Sequence, residues 1–211
     1  MIHPHAWHRR RTLVVLASVW TGTGIAAARP SAPASASAPD PGARPANWAT
    51  PLPELGVPNL HRIAPGLYRS AQPRAQDVAA LQRLGIRTVV SLRSFNSDEA
   101  VFKGSGITLV RVPINTWHIG DEQVVKALRA LRAARASGPV LLHCQHGADR
   151  TGVISAVLRM TEQGWSRKQA MDEMFRGGYG YHTLWRNIPA YLQRVDAQAL
   201  QARVAVAEPG R

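Results

Sequence analysis

Val140-Leu141-Leu142-His143 is a short apolar run that reads as a buried strand, and it leads directly into Cys144-Gln145-His146-Gly147-Ala148-Asp149-Arg150-Thr151-Gly152. A helical stretch over 151–163 follows. A buried strand, a tight loop and a helix in that order belong to a sheet covered by helices, and the rest of the chain keeps the same alternation. His61-Arg62-Ile63 and Leu67-Tyr68-Arg69 flank Ala64-Pro65-Gly66 as a hairpin with a Pro-Gly turn. A helix over 77–84 places Val78, Leu81 and Leu84 on one face and ends at Gly85. A strand is expected over 88–92, a helix from 97–99 to Gly104 or Gly106, and a strand over 107–112. Over 121–136, Val124, Val125, Leu128 and Leu131 recur at helical spacing with arginines opposite. Past the loop, a helix over 166–175 opens with the capping box Ser166/Gln169, and one further helix spans roughly 184–200. The expected fold is α/β, a single domain with a mostly parallel central sheet flanked by helices. In such sheets ligands sit beyond the carboxyl ends of the strands, where the loop after Leu142 falls.

That loop holds the one cysteine of the chain. A lone cysteine excludes an intramolecular disulfide framework and a multi-cysteine zinc site, so it is a nucleophile or an inert buried thiol. Its neighbours favour the nucleophile. Six residues curling from strand to helix, Gln145, His146, Gly147, Ala148, Asp149 and Arg150, can turn successive N–H groups inward as a nest for a phosphate dianion. The helix adds the positive end of its dipole. Gly147 allows a backbone angle or an approach that a side chain would obstruct. Arg150 can return its planar fork to two phosphate oxygens. Surroundings of that sign favour a thiolate, which is poised for in-line attack on phosphorus, and Thr151 can hydrogen-bond the sulfur as it leaves.

The H-C-x5-R-T-G pattern, between a strand and a helix, resembles the signature of the cysteine-dependent protein tyrosine phosphatase superfamily, over about residues 57–197. Pro65-Gly66-Leu67-Tyr68-Arg69-Ser70-Ala71-Gln72-Pro73 also resembles the opening of bacterial dual-specificity-like phosphatases. The resemblance implies a tyrosine/dual-specificity phosphatase-like fold and a phosphomonoesterase that needs no metal or cofactor. It makes Cys144 and Arg150 catalytic and has His143 orient the loop. Two aspartates compete as the acid for the leaving group. Asp121 lies in the segment before the signature strand where the family carries its acid, but it also reads as a cap of the helix it starts. Asp149 stands directly before the arginine, as in phosphatases that resemble the myotubularin type, and is the preferred choice. His118 could donate instead but reads more readily as a bystander on a surface loop, His146 lies on the rim, and Arg93 can hold a second phosphate or brace the loop. His61 and His182 are too scattered along the chain to suggest a metal site. Gly177-Gly178-Tyr179-Gly180-Tyr181-His182 reads as a connection between helices rather than a wall of the pocket.

The substrate expected first is protein phosphotyrosine. A phosphoinositide or inositol phosphate is the alternative, and a non-catalytic phosphate-binding module is the third reading. The formal charge of +13 suits anionic substrates and transient contact with an anionic membrane surface, while no RNA-binding signature, zinc finger or basic-aromatic ladder supports nucleic acid. Residues 1–28 read as an export signal. They carry Arg9-Arg10-Arg11, an apolar stretch from Leu13 that is shorter than a spanning helix, and Ala26-Ala27-Ala28, and they fit a Sec or a twin-arginine route to the periplasm or beyond. A Pro/Ala/Ser-rich linker over 29–56, the domain over 57–197 and a flexible tail over 198–211 complete the organisation.

Overall fold

The computed structural model describes residues 44–95 and 98–206. The expected signal at 1–28, the linker up to residue 43, the start of the helix expected at 97 and the last five residues of the tail lie outside the described residues. The elements in chain order are β1 (Thr50–Pro51), β2 (His61–Ala64), β3 (Leu67–Ser70), α1 (Val78–Arg83), β4 (Thr88–Ser91), α2 (Glu99–Phe102), β5 (Thr108–Arg111), α3 (Asp121–Ala136), β6 (Val140–His143), α4 (Asp149–Glu162), α5 (Arg167–Arg176), α6 (Asn187–Arg194) and α7 (Ala197–Ala205).

The strands form one sheet in the order β1-β2-β3-β6-β4-β5. The β3–β6, β6–β4 and β4–β5 pairs are parallel, and the hairpin with its added edge strand is antiparallel, so the α/β, mostly parallel arrangement holds. Strand β6 is central and buried along its whole length, because both faces of the sheet are covered. Val140 and Leu142 join a core with Leu67 and Val90 beneath α3, α4 and α6, whereas Leu141 packs with Tyr68, Val89, Leu81 and Phe102 on the side of α1 and α2. The parallel registers pair His143 with Ser70 on one side and with Ser91 on the other. Three strands therefore end level, and Cys144 is the first residue past that edge.

Three boundaries differ from the expectations. The linker expected up to residue 56 already packs on the domain from Arg44. Thr50–Pro51 adds an edge strand to β2, Ala49 is buried, and its N–H donates to Glu173 at 2.6 Å. A Pro/Ala-rich composition hides this because the anchors are mainly polar, a backbone amide and one arginine, with only the small side chain of Ala49 entering the core. The helix expected over 184–200 breaks at Val195 (φ −58°, ψ 133°), whose carbonyl accepts from Arg167 Nη2 at 2.7 Å. The Asp196 carboxylate then caps α7 by accepting from Ala199 N. The tail expected to be flexible from residue 198 is helical as far as Ala205, with Leu200 buried against the core shared with α3 and α4.

Candidate active site

The loop after β6 is held by its carbonyls. His143 Nδ1 donates to Cys144 O at 3.0 Å, Gln72 N to Gln145 O at 3.0 Å, Asn59 Nδ2 to His146 O at 2.9 Å, and Arg69 Nη2 to Gly147 O at 2.6 Å. With consecutive carbonyls each tied to a donor on the protein side, the peptide N–H groups are turned toward the concave side, which is the geometry of an anion nest. Gly147 is essential to this path. It lies at φ 70°, and a Cβ there would fall 2.5 Å from the carbonyl of Ser70 and 2.6 Å from Ala71 N. Both reasons for a glycine, the backbone angle and the close approach, apply at once.

Cys144 is buried and is not itself among the residues lining the cleft, whereas its neighbours Gln145 and His146, and Asp149 and Arg150 of the first turn of α4, are. Arg150 makes only long contacts to protein, 3.5 Å to Leu92 O and 3.4 Å to Ile114 O, and its Nε has no hydrogen-bond partner. Its donors are thus available to an oxyanion. Thr151 Oγ1 is buried without a partner as well. Below the loop, His143 Nε2 faces Asp98 Oδ2 at 3.3 Å, off the line of a well-formed hydrogen bond. Asp98 is fully buried. Burial alone would raise its carboxyl, but the His143 imidazole beside it and hydrogen bonds from Ser91 and Gln72 hold it down at about 2. Arg93 Nη1 lies 3.6 Å from Asp98 Oδ1 and lines the pocket, so this one side chain both braces the loop and faces the cleft.

Arg69 is the second brace. Its guanidinium is completely buried, between Gly147 O and the Tyr179 ring at 3.6 Å from the centroid. Burial lowers its pKa, partly offset by Tyr179, Glu173 and Cys144. Tyr179 is in turn held by Glu173 and by Arg44 Nη2 at 3.0 Å. Asn59, a non-glycine residue at φ 55°, donates to Tyr179 O as well as to the loop. The segment 177–182, expected only to connect helices, is therefore a support of the loop and, at His182, a wall of the pocket.

The two aspartates separate clearly. Asp121 lies outside the pocket. It accepts from Tyr191 OH at 3.0 Å and sits 3.6 Å from Arg203 Nη1, which ties α3 to α6 and α7. A sequence has no means of showing that the start of α3 is engaged by helices 70 and more residues downstream. Asp149 is buried and lines the pocket. It accepts from His182 N at 3.0 Å and faces His182 Nδ1 at 2.8 Å. His146 and His182 stand ring to ring at 5.0 Å, so His182, which looks isolated along the chain, meets His146 at one carboxylate, while His61 packs against Tyr179. His118 is not among the lining residues.

The cleft above the loop has a volume of about 380 Å3 and is lined by Arg93 and Arg150 together with Phe95, Trp117, Leu184 and Trp185. Phe95 and Trp117 stack at 6.2 Å and 20°. Phe95, Trp117 and Leu184 are 79%, 58% and 80% exposed, and among the described residues only Val206 is a comparably exposed large apolar side chain elsewhere. The rim of this cleft is thus where the protein shows its apolar surface.

Residues 56–182 match the family model described as the tyrosine phosphatase family. The dual specificity protein phosphatase TpbA of Pseudomonas aeruginosa is 38% identical over 206 residues, covering 97% of this chain and 88% of that protein. A crystal structure of a cysteine-to-serine form of TpbA in complex with phosphotyrosine superposes with a TM-score of 0.71 at 38% identity, covering 78% of this chain and all of that one. An inositol diphosphatase of Oryza sativa is 29% identical over 123 residues, covering 54% of this chain and 59% of its own length.

Proposed function

We propose, from the premise that this chain belongs to the tyrosine phosphatase family, that it hydrolyses phosphotyrosine in proteins through a phosphocysteine on Cys144. The chain is a cysteine-dependent phosphatase. The Cys144 thiolate attacks phosphorus while the bond to the tyrosine oxygen breaks, and the leaving phenolate takes a proton from the Asp149–His182 pair. Arg150 and the loop amides take the charge on the equatorial oxygens. Water then attacks the phosphocysteine and returns its proton to the pair. The sulfur–phosphorus bond breaks, phosphate is released, and Thr151 Oγ1 is the hydroxyl available to the departing sulfur.

The observation that carries this reading is the loop whose carbonyls are all tied outward beneath a cleft walled by aromatic side chains. A stacked Phe95–Trp117 pair and Trp185 suit the flat face of a phosphorylated tyrosine and apolar residues beside it. A phosphoinositide or inositol phosphate is the second reading, favoured by Arg93 and Arg150 lining one cleft and by the inositol diphosphatase relative. Residues 1–28 are read as an export signal and the protein as acting outside the cytoplasm, on the basic and apolar pattern of that segment.

The deciding experiment measures phosphate release from a phosphotyrosine peptide, a phosphoserine peptide and phosphoinositide vesicles, with EDTA present, for the native protein and Cys144→Ser. Turnover is expected on phosphotyrosine first and is expected to vanish in the variant. Activity surviving Cys144→Ser would remove the covalent mechanism, and preference for the vesicles would establish the second reading.

A further inference from the structure

His146, Asp149 and His182 each present one ligand atom, and these atoms lie within 4.8 Å of one another at the mouth of the cleft. We propose that the three side chains form a binding site for a divalent transition metal of the zinc class, seated over the phosphate loop. The donor set of two imidazoles and one carboxylate is the one such ions take, with bonds of about 2.0–2.2 Å and a fourth position left open.

The supports are already in place. Asp149 Oδ1 is anchored by the backbone N–H of His182 at 3.0 Å, which leaves Oδ2 to bind the ion. His182 Nδ1 is 2.8 Å from that same oxygen, and the ion would replace the proton the two now share. The His146 ring stands 5.0 Å from that of His182, and both rings are exposed, so they can turn onto an ion without disturbing the core. Only Asp149 is buried, and its position is fixed by the start of α4. A fourth position would be left for water or a phosphate oxygen to complete the coordination. The opposing charge at this site is Arg150, the next residue, together with Arg93, which lines the same cleft, and one carboxylate offsets only part of it. Selectivity is therefore expected for an ion that imidazole holds strongly, zinc rather than magnesium. A metal on Asp149 also takes from it the proton that the leaving group needs, so occupancy inhibits turnover; this consequence rests on the catalytic role proposed above.

Binding is tested on the full chain in a Cys144→Ser background, so that no thiolate competes, and with His3, His5 and His8 each replaced by alanine, so that those histidines cannot contribute. Zinc titration by calorimetry and the visible spectrum of added cobalt(II) are read for this protein and for further His146→Ala, His182→Ala and His118→Ala variants. One equivalent is expected to bind, with affinity falling at least about tenfold for His146→Ala and His182→Ala and not for His118→Ala. Thermal melts without metal verify that each variant is folded. An unchanged affinity in folded His146→Ala and His182→Ala proteins overturns the site, as does equal binding of magnesium. Turnover of the otherwise native protein that persists at full zinc occupancy overturns the assignment of Asp149 as proton donor and leaves the metal site standing.

Discussion

At position 147 a methyl group would meet the backbone of Ser70 and Ala71 at 2.5–2.6 Å, and neither can move without breaking the alignment of β3 with β6. Gly147→Ala is therefore expected to cost more than about 1 kcal/mol of stability and to abolish turnover even where the protein still folds. Chemical denaturation paired with phosphotyrosine turnover checks both effects, and a stable, active variant would contradict the account of the loop. His61 makes a second residue-scale case. Burial pushes its imidazole down to about 4, partly offset by the carbonyl of Asn59, with Arg69 and Arg44 lowering it further. Its ring meets Tyr179 edge to face at 4.7 Å. The unfolded chain takes up the proton near the ordinary value of 6.5, so between pH 6.5 and about 4 the unfolded state binds more protons. Stability contributed by neutral His61 is complete above 6.5 and is lost as pH falls across that window, by up to about 3 kcal/mol. Denaturant melts at several pH values should show this slope in the native protein and a flatter one in His61→Gln. Equal slopes would show that another group is responsible.

Among the elements, α7 shows how little a local pattern says about packing. The sequence 198–206 is short, alanine-rich and followed by Glu208-Pro209-Gly210, which reads as a frayed end. Leu200 is nevertheless almost wholly buried in the core beside α3 and α4, and Arg203 reaches Asp121. Leu200→Ala is expected to destabilise the protein by about 2–4 kcal/mol, a value that a flexible tail could not produce. Thermal or chemical denaturation reads it directly. The elements that were legible carry strong local signals. The capping box at Ser166 and Gln169 forms as the residue types require, and α3 buries Val124, Val125, Leu128 and Leu131. Helices α6 and α7 were read as one because the break at Val195 depends on a hydrogen bond from Arg167, a partner 28 residues away.

For the molecule as a whole, one cysteine on a reactive loop sets a redox behaviour. Oxidation of Cys144 to a sulfenic acid has no second thiol in the chain to resolve it. Peroxide is expected to inactivate the enzyme, with recovery only after an external thiol is added; spontaneous return of activity would disprove this. The sequence alone determined the α/β order, the apolar central strand and the strand–loop–helix that carries Cys144, Gly147 and Arg150. Each depends on residues adjacent in the chain, and the chemistry of a nest is written in consecutive positions. Tertiary structure alone decided which aspartate faces the cleft. It also brought Arg69, Asn59, Tyr179 and Asp98 together as supports of the loop and joined His146, Asp149 and His182 at its mouth. Those contacts join segments separated by some 30 to 120 residues, and it is chiefly the burial of the sheet between its two helical layers that brings such segments within reach of one another.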